Sequence, residues 1–422
     1  MSWLNRPIYS LLLRLAAPLL LLRLLLRGRK EPAYTQLIGQ RLGFYGPLQP
    51  VRGALWLHAV SLGEMRTAAL LIRQWRLQNP DTPLLLTCST ATGRAEGENL
   101  LDAQTQLIWL PWDMPGAVKR FLRAFKPSMG LLMETEVWPN ISHYCAQRNI
   151  PLILINARLS DKSLRQALRL PALALPAYQA LSGAWAQSAR DADHLRQLGC
   201  RVLGISGNIK FDVQINSAQI EQALVFKKAW GQMKILTLAS SRDGEEALFL
   251  EALKTCRLAA NTIPLIVPRH PQRFADIEMA AQRAGWNVLK RDSFSAGNPP
   301  HSKTLLLGNS MGEMAFYYGL SDIALIGGSY LPYGGQNLIE AIACDCAVVL
   351  GPHTFNFQEA SLLAEEAGLA TRAQTMQEAV KLAQQHLSEP PHTKDIFTKF
   401  LQKNQGGIQR TLSGIRVFED VN

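Results

Sequence analysis

The residues best equipped for chemistry are acids and cations that follow short apolar runs. Glu64 ends the stretch His58-Ala-Val-Ser-Leu-Gly-Glu64, between the run Ala54-Leu-Trp-Leu57 and a helical pattern from Met65 to Gln78. In a strand–loop–helix unit of a parallel sheet, such a residue sits at the strand's carboxyl end, where ligands bind. A carboxylate there can take a proton from a hydroxyl. The same spacing, Ser61-x-x-Glu64, is a capping box in which the Glu side chain returns to the N-cap amide. The two roles are compatible, because a cap that fixes a carboxylate also preorganises a base.

Glu134 and Glu136 lie in Glu134-Thr-Glu136-Val-Trp-Pro-Asn140, directly after Leu131-Leu-Met133. Unpaired buried acids are costly. These two are therefore expected either to act directly or to pair with Arg158 or Arg94. Lys210, in Gly207-Asn-Ile-Lys-Phe-Asp212, is placed on the segment between domains. With Arg269 it is a candidate for neutralising a leaving phosphate.

In the second half the signals read mostly as anion-binding tips. Pro268-Arg269-His270 follows the run Leu265–Val267, and Met311-Gly312-Glu313 opens a helix. Gly327-Gly-Ser329 follows Ile323–Ile326, and Gly334-Gly-Gln-Asn337-Leu338-Ile339-Glu340 leads into another helix. Glycines admit the backbone close to a phosphate, and helix amides hold it. Glu340, one turn inside its helix, is placed to accept from ribose hydroxyls. Asp191-x-Asp193 follows Ser188 and reads as first-turn helix acids, so no metal ligands and no cofactor are expected.

These groups need a scaffold of strands that end together. Apolar runs at Ala54–Ala59, Leu84–Cys88, Leu107–Leu110, Met129–Met133, Leu152–Ile155, Ala184–Gln187 and Val202–Ile205 form one series. Ile235–Ala239, Leu265–Val267, Thr304–Leu307, Ile323–Ile326 and Ala347–Leu350 form a second. Short, nearly continuous apolar strands alternating with amphipathic stretches indicate parallel sheets covered on both faces. The expected fold is α/β of the GT-B type: two Rossmann-like, doubly wound domains facing a central cleft, with an N-terminal membrane-anchor helix. The expected divisions are an anchor over 1–30, an acceptor domain over 31–206, a donor domain over 207–393 and a helical segment packing back over 394–422.

The chain has 422 residues and a net charge of +11, of which residues 1–30 supply six through Arg6, Arg14, Arg23, Arg27, Arg29 and Lys30, with no acid. The five that remain for the other 392 residues are a weak footprint for nucleic acid, which needs a clustered basic face. The apolar stretch Ile8 to Leu26 is broken by Arg14, Pro18 and Arg23. A spanning helix wants about 20 apolar residues with few charges, so the arginines favour a helix that lies in the interface or inserts shallowly. Arg27-Gly-Arg-Lys30 marks the cytoplasmic side. The six cysteines show no metal-ligand spacing and read as reduced thiols.

Taken together, His58–Glu64, Met133-Glu-Thr-Glu-Val-Trp-Pro-Asn140, Asn156-Ala-Arg-Leu-Ser160, Gly207–Asp212, Val267-Pro-Arg-His-Pro271 and Gly351-Pro-His-Thr-Phe-Asn-Phe357 resemble the motifs of the 3-deoxy-D-manno-octulosonic acid (Kdo) transferases of lipopolysaccharide synthesis. The resemblance implies an inverting glycosyltransferase on the cytoplasmic face of the inner membrane. Its donor would be CMP-Kdo and its acceptor the tetraacyldisaccharide bisphosphate precursor of lipid A (lipid IVA). It implies Glu64 as general base, with Glu134 and Lys210 stabilising the transition state. CMP would be bound by Pro268, Arg269, Met311, Gly312, Glu313, Asn337, Leu338, Ile339 and Glu340, and Ser61, Gly63 and Glu136 are the acceptor-binding candidates. Gln336, Ser241-Arg-Asp-Gly-Glu245 and Asn309 depart from the usual family residues. A two-domain transferase or epimerase using a UDP-sugar, and an inactive membrane-tethered scaffold, are the alternatives.

Overall fold

The structure is a computed structural model that describes residues 4–389 and 394–418. The anticipated segments 1–30, 207–393 and 394–422 each include a few residues outside that range. The chain forms two compact units: the chain up to Asp212 with the chain from Asn404 onward, and Val213–Lys403.

The first unit holds seven strands: β1 (Leu55–His58), β2 (Leu84–Cys88), β3 (Thr105–Trp109), β4 (Met129–Met133), β5 (Leu152–Ala157), β6 (Gly183–Ala186) and β7 (Val202–Ile205). They pair in parallel in the order β3-β2-β1-β4-β5-β6-β7. Alternate residues serve alternate faces. Trp56, Leu85, Leu132 and Leu154 join one apolar cluster, and Leu57, Leu86, Leu131 and Ile153 the other. Burial on both sides is why these strands read as continuous apolar runs. The strand order reverses between β1 and β4, so the loops that follow these two strands flank the crevice where such sheets bind ligands.

The second unit has β8 (Lys234–Ser241), β9 (Thr262–Pro268), β10 (Asn287–Lys290), β11 (Thr304–Leu307), β12 (Ile323–Ile326), β13 (Ala347–Leu350) and β14 (Ala370–Arg372). They run parallel in the order β10-β11-β9-β8-β12-β13-β14. The reversal lies at β8, beside β9 and β12. Every anticipated apolar run is a strand. The unanticipated β10 and β14 are short edge strands with polar residues, which carry little apolar signal.

Two boundaries differ from the sequence reading. The first unit continues to Asp212 rather than 206, because Ile209 and Phe211 are buried and the Ile209 amide donates to Asn156 Oδ1 at 3.0 Å. Lys210 therefore belongs to the first unit. Of the C-terminal segment, the helix Lys394–Asn404 stays, up to Lys403, with the second unit, and the helix Gly407–Arg416 returns to the first. Asp212 secures that return by accepting from the Gly406 and Ile408 amides.

Candidate active site

Glu64 stands in the first turn of the helix Leu62–Gln78, whose N-cap is Ser61. The carboxylate accepts from the Val60 amide at 2.8 Å and from the Ser61 hydroxyl at 2.9 Å. The cap thus closes one residue earlier than the box predicts, on Val60 rather than on the Ser61 amide. Burial pushes the Glu64 carboxyl above its ordinary range and the charge of Glu134 adds to this, while the Val60 and Ser61 hydrogen bonds and Lys210 oppose it. The group is a carboxylate that ionises with difficulty, which gives it the basicity a proton acceptor needs.

Glu134 and Glu136 follow β4. Glu134 has φ of 55°, a left-handed conformation that costs a side-chain-bearing residue about 1–3 kcal/mol and is tolerated where geometry matters more than strain. Its carboxylate meets Lys210 Nζ at 3.2 Å, with both side chains mostly buried. Lys210 lies in a short turn, Ile209–Phe211, capped by Asn208 and pinned at Ile209 by Asn156, itself at φ of 49°. The lysine is thus fixed by the end of β5.

Glu136 accepts from Trp138 Nε1 at 3.0 Å and lies 3.9 Å from His58 Nε2. Burial first, then the charge of Glu64, pushes Glu136 up to about 7. His58 is completely buried, with Nδ1 against the Thr87 carbonyl at 3.1 Å. Burial lowers its pKa to about 4, so the ring is neutral near pH 7. Of the two alternatives, pairing with Arg158 or Arg94 is not the one seen: Arg94 pairs with Glu98 at 3.3 Å, and Glu134 takes Lys210. Three carboxylates and one ammonium thus surround the reversal point of the first sheet. Beside them Gly63 is exposed, and a side chain added there would meet almost nothing, so its backbone is open to a ligand.

In the second unit a cavity of about 310 Å³ is lined by Ser240, Pro268, Arg269, Met311, Gly312 and Glu340, among others. That is the size of a small-molecule site. Gly312 has φ of 78°, a turn that suits glycine. Burial raises the Glu340 carboxyl, and the Arg269 charge opposes it.

The remaining donor-site candidates hold the frame. Asn337 caps the helix Leu338–Ala343, accepting from the Ile339 amide at 3.1 Å, and Leu338 and Ile339 are buried. Glu313 pairs with Arg291 at 2.9 Å. Two of the four anion-binding tips have their amides already committed. Glu245 accepts from Gly328 at 2.6 Å and Tyr330 at 3.0 Å. The Gly335 and Gln336 amides donate to the Gly328 and Gly327 carbonyls. These four amides staple the glycine loops to the fold.

A family model described as 3-deoxy-D-manno-octulosonic-acid transferase (kdotransferase) matches residues 36–213. The chain is 40% identical to the 3-deoxy-D-manno-octulosonic acid transferase of Bordetella pertussis, over 97% of this chain and 99% of that protein. The chain belongs to the Kdo transferase family. The Haemophilus influenzae transferase of the same name is 31% identical over 99% of each chain. The crystal structure of Acinetobacter baumannii MurG shares the fold at 13% identity, with a TM-score of 0.56 over 86% of this chain and 99% of that one. This Kdo transferase is accordingly a glycosyltransferase of GT-B type.

In this Kdo transferase the structure gathers Ser61, Glu64, Glu134, Glu136 and Lys210 within the first unit, and Pro268, Arg269, Met311, Gly312 and Glu340 around the second unit's cavity. Sequence reasoning named His58 and Asn156 only within motifs, without a role, and passed over Gln214, Asn216 and Gln219 as cavity lining. Asn156 carried one usable signal, a polar residue directly after the apolar run Leu152–Ile155. Asp191 and Asp193 are occupied as expected of helix acids: Asp191 accepts from the Leu159 amide at 2.8 Å, and Asp193 pairs with Arg196 at 2.7 Å.

Proposed function

We propose that this Kdo transferase moves Kdo from CMP-Kdo to the tetraacyldisaccharide bisphosphate precursor of lipid A (lipid IVA), with inversion and without a metal. Glu64 acts as general base. The observation that carries the reading is the half-buried Glu64 carboxylate, held by Val60 and Ser61 beside the Glu134–Lys210 pair. The acceptor hydroxyl gives its proton to Glu64 as its oxygen bonds to the anomeric carbon of Kdo. The bond from that carbon to the CMP phosphate oxygen breaks, and CMP leaves with the electron pair. Lys210 and Glu134 form a fixed charge pair that answers charge developing in the transition state without reorganising. Arg269, which lines the second unit's cavity, is the cation that faces the donor phosphate, and Glu340 is the acceptor for sugar hydroxyls. The acceptor binds the first unit around Ser61, Gly63 and Glu136, at the cytoplasmic side of the inner membrane, where the N-terminal helix holds the enzyme near its lipid substrate.

The test is CMP release from CMP-Kdo by detergent-solubilised protein without added metal, with and without lipid IVA. Release that depends on the lipid and yields a Kdo-bearing product is expected. CMP binding without release under those conditions refutes the reading.

A further inference from the structure

The 23-residue helix Arg6–Gly28 is long and apolar enough to cross a membrane, yet it is attached to the first unit near both of its ends. At the N-terminal end, Ser10 is buried and accepts from Asn140 Nδ2 at 3.0 Å, and Arg6 donates to Asn140 Oδ1 at 3.3 Å. The Tyr9 hydroxyl hydrogen-bonds Asp113, whose carboxylate also accepts the Asn140 and Ile141 amides at 2.9 and 2.8 Å. At the C-terminal end Leu24 packs with Tyr34 and Ala91, and the Arg27 guanidinium lies 4.7 Å from the centre of the Tyr34 ring. Crossing would place the two ends on opposite sides of about 30 Å of hydrocarbon. A helix of this length, about 35 Å, cannot do so while both ends grip one globular body. Asn140 closes the Glu134–Asn140 motif in the first turn of the helix Pro139–Ala146, so the helix that follows the Glu134–Glu136 loop also docks the N-terminal helix.

The rest of the helix surface fits an in-plane position. Leu11, Leu15, Leu19, Leu22 and Leu26 are all about half exposed or more. Their spacing of four, four, three and four puts them in one stripe about 80° wide at 3.6 residues per turn, and the equally exposed Leu12 and Leu25 widen the leucine face to about 140°. The two buried residues, Ser10 and Leu24, lie on the opposite side. The exposed Arg14 and Arg23 fall on the two flanks, roughly 100° and 80° from the centre of the stripe. Guanidinium groups on both edges of a leucine stripe reach up to lipid phosphates while the leucines sit below. Residues 1–30 contain no acid to oppose that contact.

We propose that this helix lies in the plane of an anionic bilayer surface, on the side of the body, with the leucine stripe in the acyl boundary and Arg14 and Arg23 on lipid phosphates. This deepens the membrane location proposed above and rests on it. It makes the helix a fixed part of the acceptor unit rather than a tether.

The test uses the full chain in a Cys344→Ser background, since the other five cysteines are buried. Leu11→Cys, Leu15→Cys, Leu22→Cys and Leu26→Cys are labelled singly with a fluorophore. Quenching by lipids spin-labelled at known depths is then measured in vesicles of phosphatidylethanolamine and phosphatidylglycerol. All four labels are expected at one shallow depth, about 5–10 Å below the headgroups. Arg14→Ala with Arg23→Ala should weaken binding to these vesicles on the order of tenfold or more, with little change on neutral phosphatidylcholine. A depth gradient that puts Leu15 at the bilayer centre, absence of binding, or indifference to the arginines overturns the proposal. CMP release measured on the same samples in detergent separates this from the catalytic reading: a failed transferase leaves the depths unchanged.

Discussion

Replacing Glu64 with Gln tests the base while preserving its surroundings. The carboxylate accepts from the Val60 amide at 2.8 Å and the Ser61 hydroxyl at 2.9 Å. A Gln carbonyl can keep the Val60 bond while its amide donates to Ser61 Oγ, so the cap persists and stability should change by less than about 1 kcal/mol. A positioned general base contributes roughly 10²- to 10⁴-fold, equivalent to about 3–5 kcal/mol of barrier. The turnover of Glu64→Gln should fall by that factor with its melting temperature nearly unchanged. Because burial raises the Glu64 pKa, wild-type activity should be lost as pH falls through it, and that acid limb should vanish from whatever activity the variant retains. Kdo transfer across a pH series, with thermal unfolding of both proteins, measures all three quantities. A variant within tenfold of wild type that keeps the same acid limb refutes the assignment.

Lys210→Met leaves Glu134 without its partner, and with both side chains a fifth or less exposed the cost should be about 1–3 kcal/mol, below the figure for a fully buried pair. Adding Glu134→Gln should recover the stability but not the activity, read by thermal unfolding and transfer assays side by side. Arg269→Ala should weaken CMP binding roughly 10- to 100-fold by calorimetry, the value of one charge-assisted hydrogen bond, and unchanged affinity would remove Arg269 from the donor site. Glu136 is protonated up to about pH 7 in the folded state against about 4.3 unfolded. The folded state therefore binds more protons in that window, and its stability falls as pH rises through it. Glu136→Gln should flatten that decline, and an identical slope in both proteins would place the titration elsewhere.

The sequence by itself determined the fold class and where the strands end. Burial on both faces forces apolar runs such as Leu131-Leu-Met133 and Leu152–Ile155, and charged groups gather where the runs stop. Glu64, Glu134 and Arg269 were legible for that reason. Partners were not legible, because pairing depends on which strand ends become neighbours. Strand order sets β1 beside β4, and Asn156 at the end of β5 carries the turn that holds Lys210 against Glu134. The glycine tips show the same limit. Gly327-Gly-Ser329 and Met311-Gly312 look alike as strings, but Glu245 reaches the Gly328 and Tyr330 amides, while the Gly312 turn faces the cavity. The edge strands β10 and β14 escaped notice because an edge needs less apolar surface. Residue types thus set the chemistry available at each strand end, and tertiary contacts over long sequence separations decided which groups are spent on structure and which remain for a ligand.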